Sequence, residues 1–196
     1  MIIQQQHRFQ VLPGLPPYGP LAVPFPRSGR STHSEGFVVR FIRVDGSDWT
    51  GNFLPGLTNY SEAFMHPDRR RVLIVSRGDT YLVDPEDPDS YETLPCWVQN
   101  HIWSPYHRHL ILDDAGLRLT ILADDGSRRS TRRFSWDGLA ELATNGTTVR
   151  GLAYEPFHDS WQPFTVDIAT GEVEGGTYNE LPNTPSPRRS WQFWRS

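Results

Sequence analysis

The chain contains no lysine; all nineteen of its basic residues are arginine. Without a lysine amine there is no Schiff-base chemistry, no attachment point for pyridoxal phosphate, and no phosphate-loop or kinase lysine. Cysteine is nearly absent too. Cys96 is alone, so no internal disulfide can form, and it follows Pro95 with no helix start after it to activate a thiolate. No run approaches the ~20 apolar residues of a membrane span. The N-terminal residues MIIQQQHRFQVLPG lack the charged start, apolar run and small-residue cleavage site of a secretory signal, and a reduced, cytoplasmic setting is expected. Positive charge is not in surplus either. A net charge of −4 and a pI near 5.9 give no overall attraction to nucleic acid or to an anionic membrane. Neither a Gly-x-Ser-x-Gly elbow nor a glycine-rich phosphate loop is present.

What the chain does have is aromatic residues and turns. Its 196 residues suit one domain with a sizeable core, and 12% of them are aromatic, including seven Trp. One pattern repeats. Ala63–Asp84 places a short apolar stretch, the turn His66-Pro67-Asp68, a strand near Arg71–Ser76, the tight turn Arg77-Gly78-Asp79 and a strand at Thr80–Asp84. Asn100–Asp124 has the same order of parts around Ser104-Pro105-Tyr106 and Ala115-Gly116. Gly36–Phe53, turning at Asp45-Gly46, forms another hairpin, and Thr147–Tyr154 with Trp161–Ile168 forms a fourth. The apolar centres Val38, Val72, Leu110 and Val149 are 34, 38 and 39 positions apart, a spacing that marks radial repeats of small sheets.

The outer strands of these units end alike, in Tyr81-Leu82-Val83-Asp84-Pro85, Thr120–Gly126 and Phe164–Val173, each with an aspartate turn after an alternating strand. In this the chain resembles the blades of β-propellers of the quinoprotein and WD40 type, over about residues 36–176. The Trp136-Asp137 pair stands outside the blade-closing position of that pattern. The resemblance implies an all-β fold of about four antiparallel units in an open or closed ring. A β-sandwich of hairpins accounts for the same alternation. One short helix is expected at Trp136–Thr144, capped by Ser135, with Leu139, Leu142 and Ala143 at helical spacing.

Three regions follow: a proline-rich arm (1–35), the repeat domain (36–180) and an aromatic, basic tail (181–196). The arm carries six prolines between Pro13 and Pro26 and is expected to be extended and irregular, packing Tyr18, Leu21, Val23 and Phe25 on the body. Pro16-Pro17-Tyr18 also fits a polyproline ligand.

Candidate functional residues fall into four groups. His107 and His109, two apart on a strand, share a face, and with His101 they are the histidines most suited to a metal; the missing third donor and the intervening Arg108 argue against one. With Asp113 the same histidines form the acid–base set of an alternative hydrolase or lyase reading. Arg128, Arg129, Arg132 and Arg133, with Trp136 nearby, suit phosphate and base stacking in a nucleic-acid alternative, or intramolecular pairing with the neighbouring acidic turns. Trp191 and Trp194 in the tail suit a contact surface. No cofactor is expected. The favoured reading is a non-enzymatic protein-binding module, of inhibitor or immunity type, that meets a protein partner.

Overall fold

The computed structural model describes residues 8–27 and 34–178. Among these residues the regular structure is β, with a single 3-10 turn at Pro105–His107. The strands are β1 (Phe9–Val11), β2 (Val23–Phe25), β3 (Phe37–Ile42), β4 (Asp48–Phe53), β5 (Glu62–Met65), β6 (Val72–Ser76), β7 (Asp79–Asp84), β8 (Asp87–Trp103), β9 (His109–Asp114), β10 (Arg118–Ala123), β11 (Arg128–Ser130), β12 (Leu139–Thr144), β13 (Thr148–Glu155), β14 (Ser160–Asp167) and β15 (Val173–Gly175).

Four units of four strands result. The first sheet has the order β1-β3-β4-β2, with β2 parallel to β4 and the other pairs antiparallel. The second and third are joined in the continuous order β5-β6-β7-β8-β9-β10-β11, because β8 pairs with β7 through its first part and with β9 from Val98 onward. The fourth is the antiparallel sheet β12-β13-β14-β15. All four anticipated hairpins form, with the tight turns Arg77-Gly78 and Ala115-Gly116 at positive φ.

Alternation along the strands decides between a propeller-like stack and a sandwich. Val72 and Ile74 of β6 pack with Val39, Phe41 and Phe53 of the first sheet, while Leu73 and Val75 pack with Leu110 and Leu112 of the third. Ile111, Leu119 and Ile121 then pack on Val149, Phe164 and Val166 of the fourth. The inner two sheets are thus buried on both faces, which a two-layer sandwich does not allow. Among the described residues no core cluster joins the fourth sheet to the first, so the stack has two free ends.

Two expectations are corrected. Residues 139–144 form a strand, not a helix. Its register against β13 shifts between Ala140 and Ala143, with Glu141 at φ 53°, and this bulge resets the pleat so that Leu139 and Leu142 enter the same core. A bulged strand thereby imitates the three-residue spacing of a helix face. The arm is also not wholly irregular: it supplies both edge strands of the first sheet, the one place where Pro24 costs no ladder bond. Phe25 is fully buried and Val23 half-buried, whereas Tyr18 and Leu21 are 90% and 95% exposed.

Candidate functional site

Strand order brings particular turns together. The β5–β6, β8–β9 and β12–β13 connections share one rim with the acidic β7–β8, β10–β11 and β14–β15 turns. The acidic residues there act as turn makers: Asp84, Asp125 and Asp167 accept the backbone N–H of Glu86, Ser127 and Thr170. At the inner edge of this rim lies a cavity of about 490 Å³ whose lining includes Phe64, His66, Arg69, Trp103 and His107. His66 is 1% exposed although it opens a turn. Its Nδ1 lies 3.1 Å from Asp68 Oδ2, and that oxygen also accepts from Arg71 Nε at 2.7 Å. Burial nevertheless outweighs Asp68 and holds His66 below the ordinary imidazole range.

A second feature lies at the free end of the stack. On the outward face of the fourth sheet, Tyr154 pairs with Trp161 across the β13–β14 hairpin, their rings 5.0 Å apart, and Leu152 pairs with Pro163. The hairpin turn carries Phe157, whose ring meets Trp136 edge-on at 5.4 Å; Trp136 in turn meets Tyr178 at 4.9 Å. The Arg133 guanidinium sits 4.3 Å from the Tyr178 ring centre and 5.3 Å from that of Trp136, and its Nε and Nη2 donate to the Ser135 and Trp136 carbonyls. Exposure is 36% for Trp136, 44% for Trp161 and 73% for Phe157. These rings form an aromatic corner with a fixed cation in it.

The anticipated residues are scattered over these places. Arg133 and Trp136 come together in the corner. Arg128 is bound to Glu92 at 2.8 Å, Arg132 donates to the carbonyls of Val173 and Tyr178, and the side chain of Arg129 lies against Gly171, so the basic run mainly ties elements of the protein to one another. The three histidines separate as well. His101 meets the Tyr60 hydroxyl at 2.6 Å and the Phe64 ring at 4.4 Å, burial holding it below the ordinary range; His107 lies edge-on to Trp103 at 4.9 Å; His109 has a buried Nδ1 with no partner among the described residues. No group of three or more possible metal donors occurs among the described residues. Asp113 stands four residues from His109 along β9, roughly 13 Å at the usual strand rise. It is buried, accepts the Gly116 N–H at 2.8 Å, and burial pushes its carboxyl up to about 7. Burial also pushes the Cys96 thiol up to about 11, which leaves it inert as a nucleophile. Trp191 and Trp194 lie outside the described residues.

Sequence reasoning missed Tyr154, Phe157 and Trp161, which it placed only as strand and turn residues. The available signal was apolar character on both faces of the fourth hairpin: Val149, Ala153, Phe164 and Val166 on one, Leu152, Tyr154, Trp161 and Pro163 on the other. A last sheet with two apolar faces has one more than its own stack covers.

The fold and its rims define an all-β protein of propeller-like blades, stacked in series with free ends. No protein-family model and no curated protein matches the chain. Solved structures do resemble it. A dihydro-heme d1 dehydrogenase, NirN, is 11% identical with a TM-score of 0.47, over 71% of this chain and 32% of that one. The putative TolB from Agrobacterium tumefaciens is 17% identical with a TM-score of 0.36, over 58% and 44%, and a puromycin hydrolase is 19% identical with a TM-score of 0.39, over 75% and 25%. The chain thus spans less than half the length of each of these. The likeness concerns the fold alone.

Proposed function

We propose that the protein is a protein-binding module whose contact surface is the aromatic corner of the fourth sheet. The observation that carries this reading is the exposed set Trp136, Phe157 and Trp161, with Trp136 held by Arg133 and Tyr178, Phe157 set edge-on to Trp136, and Trp161 against Tyr154. Rigid aromatic rings and arginine dominate binding hot spots, because they desolvate a large area while losing little rotamer freedom. Arg150, exposed on the same face and in no ion pair among the described residues, adds a second cation beside Leu152. The complementary partner surface is apolar with an acidic rim. Occlusion of such a surface is the action of an inhibitor or immunity-type protein, and that is the role we assign.

The hydrolase or lyase reading has less support, since His107 and His109 stand at the opposite end of β9 from Asp113. A tagged protein purified from its own cells tests the binding role. One partner at equal stoichiometry should accompany the wild type, and its affinity should fall at least about thirtyfold in Trp161→Ser, the size of a hot-spot loss of ~2 kcal/mol. Absence of any stoichiometric partner, or a partner bound by Trp161→Ser and by Trp136→Ala as tightly as by the wild type, contradicts it.

A further inference from the structure

We infer that the cavity at the inner edge of the rim is a binding site for a small planar anion, independent of the fourth-sheet surface. Its walls supply an apolar slot. The Trp103 and Phe64 rings, 6.3 Å apart and edge to face, with Met65 beside them, leave about 490 Å³, room for a ligand of two fused rings. Its polar groups are cationic or neutral donors. Arg8 contributes a guanidinium already held by Glu86, and His66 and His107 contribute imidazoles.

Arg69 supplies the open charge. It belongs to no ion pair among the described residues, although it also lines the adjoining cavity beside Asp68, Asp124 and Asp125. Two of those carboxylates are engaged with other arginines, Asp68 with Arg71 and Asp124 with Arg108, and Asp125 accepts the Ser127 N–H. An anion entering the slot therefore finds a guanidinium whose charge no carboxylate has claimed.

The backbone carries a second, separate sign. Arg69, Tyr106 and His107 have φ of 60°, 62° and 53°, and all three border these two cavities. In the equivalent turn of the fourth sheet the left-handed position is filled by Gly146, at φ 98°. Left-handed backbone is nearly free for glycine and costs other residues on the order of 1 kcal/mol each. Arg77, Ala115, Glu141 and Asp159 bear the same cost elsewhere in the fold, and what sets Arg69, Tyr106 and His107 apart is that all three border the two cavities.

The test uses the full chain and two probes of one shape, 2-naphthoate and uncharged 2-naphthamide, followed by calorimetry. Naphthoate should bind one site with a Kd on the order of 1 mM or tighter, as ligand size allows. Naphthamide should bind about tenfold more weakly, reflecting one lost charge-assisted contact. Arg69→Gln should remove that difference, and so should Arg69→Gly, which suits the left-handed backbone and keeps the fold. Trp161→Ser should leave both affinities unchanged. Equal binding of the two probes by the wild type, naphthoate affinity unaltered by either Arg69 variant, no saturable binding, or binding lost in Trp161→Ser would each overturn the assignment.

Discussion

The first and fourth sheets carry their large rings on opposite faces. In the first, Phe25, Phe41, Trp49 and Phe53 point inward, Phe25 stacking on Phe53 at 4.5 Å and Phe41 on Trp49 at 4.2 Å, against Tyr81 and Val83 of the second sheet. Its outward face bears no aromatic ring: Arg40 pairs with Asp48, Asn52 bonds Ser34 and Gly36, and the apolar Val38 beside them is already buried. In the fourth the inward face is mostly aliphatic, with Val149, Ala153 and Val166 around Phe164 and Phe134, while Tyr154 and Trp161 look outward. Burying a ring stabilises the fold, whereas leaving one at a free end stabilises nothing until something covers it. Among the described residues, one end of the stack is finished and the other is open.

The largest effect that would sharpen this contrast belongs to Phe25. Its removal leaves a hole against Phe53 and breaks edge contacts with Tyr81 and Tyr91 at 6.5 and 5.0 Å. Phe25→Ala should lower unfolding free energy by about 3–5 kcal/mol in urea titration. A loss under about 1 kcal/mol would show that the arm contributes little to the first core.

A smaller effect should act on the fourth sheet and spare the first. Asp113 bonds the Gly116 N–H, and Gly116 lies so close to Gly138, at the entrance to β12, that an added Cβ would stand 2.8 Å from the Gly138 nitrogen. In the folded chain the acid keeps its proton to about pH 7, and unfolded it loses it near 4. Unfolding between those values releases a proton. The stabilising contribution is therefore complete below pH 4 and lost as pH rises toward 7, by roughly 2–4 kcal/mol. Asp125 and Asp167, held low by hydrogen bonds from Ser127 and Thr170, act in the opposite sense, so the difference between wild type and Asp113→Asn is the quantity to measure. The substitution keeps the acceptor for Gly116 and should flatten that dependence. Amide exchange in the fourth sheet, corrected for its intrinsic pH dependence, should quicken between pH 4 and 7 in the wild type more than in the first; equal change in both would break the comparison.

The same two sheets show what the sequence could disclose. Hairpins were legible because Asp45-Gly46, Arg77-Gly78 and Ala115-Gly116 punctuate short apolar strands. Strand β12 was not, since the bulge at Glu141 is a tertiary choice that gives Leu139 and Leu142 one face. Nor was the double use of β8, which runs through Pro88 and Pro95 and belongs to two sheets. Arg133 and Trp136 could be singled out by residue type and closeness in sequence, and the structure sets the guanidinium over the indole ring. That Arg128 and Arg132 are spent on Glu92 and on the carbonyls of Val173 and Tyr178 depends on partners 36 to 46 residues away, beyond any local pattern.

The smallest expected change in stability is the most telling about the open end. Trp161 is 44% exposed, and its nearest ring, Tyr154, keeps a hydrogen bond to Asp159 without it. Trp161→Ser should therefore shift unfolding free energy by no more than about 0.5–1 kcal/mol, the range of surface positions, although tryptophan is the largest side chain the chain could lose. Trp49 supplies the control. It is buried in the first sheet, stacked on Phe41, with its indole N–H donating to the Pro85 carbonyl at 2.8 Å, and Trp49→Ser should cost several times as much. If both substitutions cost the same, the outward rings serve the core of this chain itself, and the fourth sheet is no more open than the first. If Trp161→Ser is silent alone but costly once the partner is bound, the ring's stabilising contribution belongs to the complex.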